Sequence, residues 1–262
     1  MIHPIKSIIV RKQRWTIKNF EKTKYSKRLK QFKDTHKGET CFIIGNGPSL
    51  KAEDLEKLYN KHIPTFGFNR IYLMFENTNW RPSFYISQDE KTLKNCIDEV
   101  NSMNIKYKFI PLSHRYNYNT LINNAYYFNT HYSDNEYPVF SNDISKRIGM
   151  SSTVACTAIQ FAVYMGFKKI FLIGIDHSFS TYKNEKGEII KDDSIKDYFV
   201  DEYNKDQTEL YIPSLYASTR AFIVMKEYCD SHGIEIFNAT RGGKLEVFPR
   251  VDFDEVINSE VI

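Results

Sequence analysis

Residues 169–176 read Lys-Ile-Phe-Leu-Ile-Gly-Ile-Asp. The apolar run has no polar alternation, so it suits a strand buried on both faces, the kind found inside a parallel sheet covered by helices. Just before it, residues 151–167 (SSTVACTAIQFAVYMGF) are apolar over a helical length and also read as buried. The pattern recurs along the chain. Strands are expected over 40–45, 63–69, 83–89, 107–112 and 234–240. Helices are expected over 48–59, 90–105 and 214–232. Residues 113–146 read as irregular, and the polar stretch 177–210 reads as a lid. Alternating strands and helices give an α/β fold with a doubly wound, mostly parallel, Rossmann-like sheet.

Ligands of such sheets bind beyond the carboxyl ends of the strands. Five turns therefore meet at one crevice: Gly45-Asn46-Gly47, Asn69-Arg70, Ser87-Gln88-Asp89, Gly174-Ile175-Asp176-His177 and Asn238-Ala239-Thr240. The first turn is not a dinucleotide fingerprint, because Leu50 stands where the third glycine would be and the second strand ends in Asn69 rather than an acid. It is not a phosphate-binding P-loop either, since Lys51-Ala52 does not supply the Lys-Ser/Thr pair. A helix starting at Pro48 would point its free N–H groups at an anion, with the Asn46 amide beside it. A second cradle is expected at Gly149, Ser151, Ser152 and Thr153, with Arg147 just ahead of it. His177, next to Asp176, is the best-placed general base, and His114 is the next. The Asp-x-Asp pattern of metal-dependent glycosyltransferases occurs only at Asp252-Phe253-Asp254. It reads as surface charge, so no metal site is expected.

Charge divides the chain unevenly. Residues 1–40 hold twelve Lys and Arg against three acidic residues, a charge of +9, which leaves −5 on the remainder of a chain whose total is +4. An acidic body argues against nucleic acid as a partner. Ile5, Ile8, Ile9, Trp15, Phe20, Leu29 and Phe32 interleave with the basic residues. The arm at 1–39 thus reads either as an anchor on an anionic inner-membrane surface or as a helix packed on the body or on a second copy in a homo-oligomer. The cysteines (41, 96, 156, 229) are far apart, with no Cys-x-x-Cys pair, which fits a reducing compartment. No apolar run approaches the length of a spanning helix, and the N-terminus lacks a signal-peptide core. A cytoplasmic protein, peripheral on the inner face of the membrane, is expected.

Taken together, GNGPSL (45–50), the strand ending in Asn69 and RIGMSSTVACTAIQFAVYMGFKKIFLIGID (147–176) resemble the bacterial sialyltransferases that use CMP-activated sialic acid. They more closely resemble the superfamily of motility accessory factors and pterin diphosphokinase-like proteins. The tail IFNATRGGKLEVFPRV (236–251) is similar to the second group. The resemblance covers about residues 40–250. It implies a GT-A-like variant of the fold, with residues 40–262 as a nucleotide-sugar-binding catalytic domain. The nucleotide would be held by Gly45, Asn46, Gly47, Asn69, Asp89, Ser151, Ser152, Thr153, Gly174 and Asp176, and the sugar would sit under the lid. Arg147 matches the arginine that precedes the sialyltransferases' hydroxyl-glycine turn. Where those enzymes carry a catalytic histidine before the last long helix, this chain has Tyr211 and Tyr216. With His177 and Arg147 they complete the candidate catalytic set. The expected activity is metal-independent transfer from a nucleotide-activated sugar, CMP-linked by preference, to a cell-surface glycan or lipid-linked acceptor. The donor is the substrate and no separate cofactor is expected. Two alternatives stay open: pyrophosphate transfer from ATP to a 6-hydroxymethylpterin, and a non-catalytic nucleotide-binding partner.

Overall fold

A computed structural model of the chain describes residues 4–117, 121–133, 137–205 and 211–259. Residues 1–3 of the arm, 118–120 and 134–136 of the irregular stretch, 206–210 of the lid and 260–262 lie outside the described residues. Helices α1 (Pro4–Lys18) and α2 (Lys24–Lys30) precede β1 (Thr40–Ile44). Next come α3 (Ala52–Asn60), β2 (Thr65–Phe68), β3 (Phe84–Ile86), α4 (Glu90–Asn95), α5 (Ile97–Ser102), β4 (Tyr107–Pro111), α6 (Leu112–Asn117) and β5 (Ala125–Phe128). Strands β6 (Thr130–His131) and β7 (Ile148–Gly149) pair with each other ahead of α7 (Val154–Met165) and β8 (Lys169–Ile173). A hairpin of β9 (Thr181–Lys183) and β10 (Ile189–Lys191) leads on to α8 (Leu215–Ser231), β11 (Glu235–Asn238) and α9 (Phe253–Asn258).

The main sheet has seven strands in the order β11-β8-β1-β2-β3-β4-β5, all parallel. This is the doubly wound α/β arrangement the alternation predicts. From β1 the chain steps outward through β2 to β5, then returns through α7 to β8 on the other side of β1. The strand order therefore reverses between β1 and β8, and such a switch point opens a crevice at the carboxyl ends. Strands β1 and β8 pair from Thr40↔Lys169 to Ile44↔Ile173, and both are buried beyond their first residue. Helix α7 is buried at nearly every position, which explains its largely apolar sequence.

The structure departs from the sequence reading in three local ways. The stretch 113–146 holds α6, the edge strand β5 and β6, so it is less irregular than expected; the Ala-Tyr-Tyr-Phe of β5 has a strand former's aromatic content. The helix expected over 90–105 breaks at Cys96, whose φ of −136° is not helical, and becomes α4 and α5. Helix α3 starts at Ala52 rather than Pro48.

Residues 20–38 pack on the sheet. Leu29 and Phe32 are buried, and Phe32 makes edge contacts with Tyr107, Phe109 and Tyr126 at 4.9–5.1 Å between ring centroids. Arg28 donates from Nη1 to the Ala125 carbonyl at 3.0 Å, and the His36 ring stacks on Phe167 at 4.7 Å. Along α1, by contrast, Ile8, Ile9, Val10, Trp15 and Ile17 are exposed.

The carboxyl ends of β1 and β8 touch. A Cβ on Gly45 would lie 2.1 Å from the Gly174 carbonyl oxygen, and one on Gly47 would lie 1.9 Å from Asp176 Oδ2. The Gly45 amide donates to the Ile173 carbonyl at 2.8 Å, and that of Gly47 to the Gly174 carbonyl at 2.9 Å. These glycines are needed because another part of the same chain lies against them. Gly45→Ala, which sets a methyl group against backbone, should destabilise the protein by about 3 kcal/mol, the upper end of overpacking costs. Urea denaturation checks this, and an unchanged midpoint would contradict it.

Candidate active site

A cavity of about 470 Å³ lies at the switch point, within the usual range for small-molecule sites. The turns after β1, β2 and β8 form its floor through Gly45, Asn46, Gly47, Asn69, Gly174, Asp176 and His177. Asp89, at the start of α4, and Ser152 and Thr153, at the start of α7, form one wall. Phe179, Tyr198, Tyr203 and Tyr211, from the segment between β8 and α8, close over the top.

Each floor residue is held by its own local chemistry. Asn46 is buried, and its Nδ2 donates to the Phe68 carbonyl at 3.1 Å, which directs Oδ1 the other way. That Oδ1 is buried and has no hydrogen-bond partner in the protein, and the same holds for Asn69 Oδ1. Two buried carbonyl oxygens that line a cavity without donors are open to a ligand's hydroxyl or amino group. Asn69 and His177 have φ of +52° and +53°, in the left-handed region that a side chain disfavours. Such backbone strain concentrates at functional sites.

Asp176 accepts from Ser49 Oγ at 2.7 Å and from the Ser49 amide at 3.4 Å. Burial nevertheless holds its carboxyl above the usual carboxylate range, with the two Ser49 hydrogen bonds working the other way. His177 Nε2 lies 2.8 Å from Thr219 Oγ1, and that hydroxyl donates to the Leu215 carbonyl at 2.9 Å. With its one proton used there, Thr219 can only accept from His177, so Nε2 carries the hydrogen and Nδ1 is the acceptor. Burial pushes the imidazole below its ordinary value, which favours this neutral form.

Helix α7 starts at the cavity. Thr153 caps it by accepting from the Ala155 amide at 3.4 Å, and the Ser152 hydroxyl lies 3.1 Å from that of Ser218. The positive end of a twelve-residue helix and two hydroxyls thus face one wall. The first turn differs from expectation: the amides of Gly45, Gly47 and Ser49 all donate within the protein, and α3 starts further on. At the α7 end the Ala155 and Cys156 amides likewise donate to Thr153, and the helix dipole with the Ser152 and Thr153 hydroxyls is what borders the cavity there. Among the described residues, no Lys or Arg lines the cavity, and Asp89, Asp176 and Asp197 do. Each of these carboxylates accepts from a protein donor: Asp89 from the Thr92 amide at 2.8 Å, Asp197 from Ser180 Oγ at 2.8 Å, and Asp176 from Ser49. Among the described residues, no three His, Cys, Asp or Glu converge as a metal-ligand set.

Of the residues expected in the site, Gly45, Asn46, Gly47, Asn69, Asp89, Ser152, Thr153, Gly174, Asp176, His177 and Tyr211 line the cavity. Ser151, Arg147 and Tyr216 do not. The Ser151 hydroxyl turns to the Thr153 carbonyl at 3.0 Å. Arg147 is exposed ahead of Gly149, which Gln160 of α7 clamps through Gly149 N and Gly149 O at 3.0 and 2.9 Å. The Tyr216 hydroxyl accepts from Arg220 Nη1 at 2.9 Å. His114 is buried and does not line the cavity; its Nε2 lies 2.8 Å from the Gln88 carbonyl. Asp252 caps α9, and Asp254 pairs with Arg241 at 2.9 Å.

Asp197, Tyr198, Tyr203, Ser218 and Phe222 line the cavity without having been singled out in the sequence. The Tyr198-Phe199 pair in an otherwise charged stretch was a usable signal for the first three. Ser218 and Phe222 carried none, because only the folded α8 brings them to the crevice.

Residues 14–182, well over half the chain, match the profile of a family described as 6-hydroxymethylpterin diphosphokinase MptE-like. The chain belongs to the MptE-like family. Searches of curated proteins and of solved structures return no match. In this MptE-like chain the matched span covers α2, β1 to β8 and the turns after β1, β2 and β8, so it includes the whole cavity floor. It ends inside β9, ahead of α8 and β11.

Asp176 gives the site a pH signature. Its carboxyl is raised in the folded protein, so ionisation costs stability above that value and the cost disappears as pH falls below the unfolded value of about 3.9. Asp176→Asn keeps an acceptor for Ser49 and removes the charge. It should raise the Tm of the ligand-free protein at neutral pH, and the gain should shrink on acidification. A lower Tm at pH 7, or a gain that does not depend on pH, would contradict the reading.

Proposed function

We propose that the chain is a glycosyltransferase that moves a sugar from a nucleotide-activated donor to a cell-surface glycan or lipid-linked acceptor. A donor with a single phosphate, as in CMP-sugars, is favoured. The observation that carries this reading is the electrostatics of the cavity: one helix end and two hydroxyls available to a phosphate, no lining Lys or Arg among the described residues, and three lining carboxylates. One phosphate suits that wall. The four charges of a nucleoside triphosphate would face the carboxylates with little compensation.

Asn46 and Asn69 accept from the nucleoside through their unpartnered oxygens. The phosphate rests at Ser152, Thr153 and the start of α7, where N–H groups and hydroxyls meet the charge that grows as the sugar leaves. The acceptor hydroxyl must lose a proton as it attacks. His177 Nδ1 serves as the base, held in tautomer by Thr219 and kept neutral near pH 7 by burial. Asp176 shares the floor with this histidine and is available to a donor hydroxyl.

The family description favours a second reading, pyrophosphate transfer from ATP to a pterin alcohol. The rings of Phe179, Tyr198, Tyr211 and Phe222 lining the cavity would suit a planar pterin. A thermal-shift series with CMP, CDP, UDP, GDP and ATP, each with EDTA and with Mg²⁺, separates the two. The glycosyltransferase reading predicts a shift with CMP in EDTA, and loss of roughly 1–3 kcal/mol of that binding in Asn46→Ala. Stabilisation by ATP alone, and only with Mg²⁺, would support the diphosphokinase instead. CMP binding without release of CMP from any CMP-sugar would leave a nucleotide-binding partner.

A further inference from the structure

Helix α1 carries five basic residues and no acid in the sequence PIKSIIVRKQRWTIK. Its Ile8, Ile9, Val10, Trp15 and Ile17 are exposed, with Trp15 at 57%. Arg11, Lys12, Arg14 and Lys18 are exposed among them, and Lys22, Lys24, Lys27 and Lys30 continue the exposed charge through α2. The segment after α1 is fixed to the body, because Phe20, Leu29 and Phe32 are buried and Arg28 holds β5. The family match begins at residue 14, so most of this apolar-basic face precedes the region shared with the family. Among the described residues no helix is long and apolar enough to cross a membrane.

We infer that α1 is an interfacial anchor that lies on an anionic lipid surface and holds the catalytic body there. Charge complementarity selects the occupant. Residues 1–40 carry +9 while the rest of the chain carries −5, so this segment, rather than the body as a whole, is drawn to an anionic surface. The exposed Ile and Trp residues give the apolar contact that a purely ionic partner would leave in water. Basic side chains adjoining exposed apolar ones, with Trp among them, are the composition of helices that lie in the headgroup layer. The inference is independent of the substrate, because no residue of α1 lines the cavity.

The chain carries its own reporter. Trp80 is buried at 1% exposure and Trp15 is exposed, so a blue shift of tryptophan emission on adding vesicles would come from Trp15. The test uses the full chain with vesicles of phosphatidylglycerol and phosphatidylcholine, against pure phosphatidylcholine. Sedimentation with the anionic vesicles at low salt, a blue shift, and loss of both at about 0.5 M salt are expected. Combining Arg11→Glu, Lys12→Glu, Arg14→Glu and Lys18→Glu should weaken partitioning by at least about a hundredfold, since each basic residue near such a surface contributes about a fivefold factor. Trp15→Phe should remove the shift and keep sedimentation. Circular dichroism of each variant confirms the fold. Absence of sedimentation at low salt, equal binding to neutral vesicles, or self-association that ignores salt and the charge reversals would overturn the inference. So would tighter binding to a DNA or RNA duplex than to the anionic vesicles.

Discussion

The structure depends on how closely the ends of β1 and β8 approach. Five parallel pairs bring these strands side by side, and the chain then turns away from each in a different direction. At that point the Gly174 carbonyl lies where a Gly45 side chain would be, and the Asp176 carboxylate lies where a Gly47 side chain would be. The approach fixes the floor of the crevice. It also orients Asp176 toward Ser49 and leaves Asn46 on that floor with an open acceptor. Gly174 and His177, at either end of the turn that follows β8, both have positive φ, +66° and +53°.

A second consequence concerns charge. The hydrogen bonds that hold the crossing engage the amides of Gly45, Gly47 and Ser49 in the first turn. At the start of α7 the hydroxyls of Ser152 and Thr153 meet the helix end at the cavity wall, which is where the proposed reading sets a phosphate. The segment after β8 then closes the cavity. The Phe199 amide donates to the Asn46 carbonyl at 3.1 Å, and Tyr203 is buried, its carbonyl and hydroxyl both accepting from Arg70. Tyr198 stacks on Tyr203 at 3.8 Å. An aromatic strap thus rests on the same asparagine turn whose side-chain oxygen is buried without a partner.

Much of this was legible in the residues. Uniform apolarity at 170–173 and a largely apolar α7 marked a covered parallel sheet, and the polar turn residues fell where such a sheet opens. The edge strand β5 was missed because its tyrosines lie in a polar-aromatic stretch, where β propensity competes with turn signals. The glycines of the first turn suggested a ligand's approach, yet their immediate neighbour is the turn after β8; sequence alone does not say which body comes close. Arg147 read as part of a cradle, but the fit of Gly149 against Gln160 leaves that arginine outside the cavity. Ser218, Phe222 and Asp197 reach the site only through long-range packing, which no local pattern reports.

The central claim is that a nucleotide-bearing ligand occupies the crevice beneath the strap. Hydrogen exchange of the full chain with and without CMP tests it most directly. The account predicts slower exchange at the Phe199 amide, across Thr181–Lys183 and at the start of α7, with α1 unchanged. Equal rates in these segments at saturating CMP, or protection confined to other parts of the molecule, would contradict it.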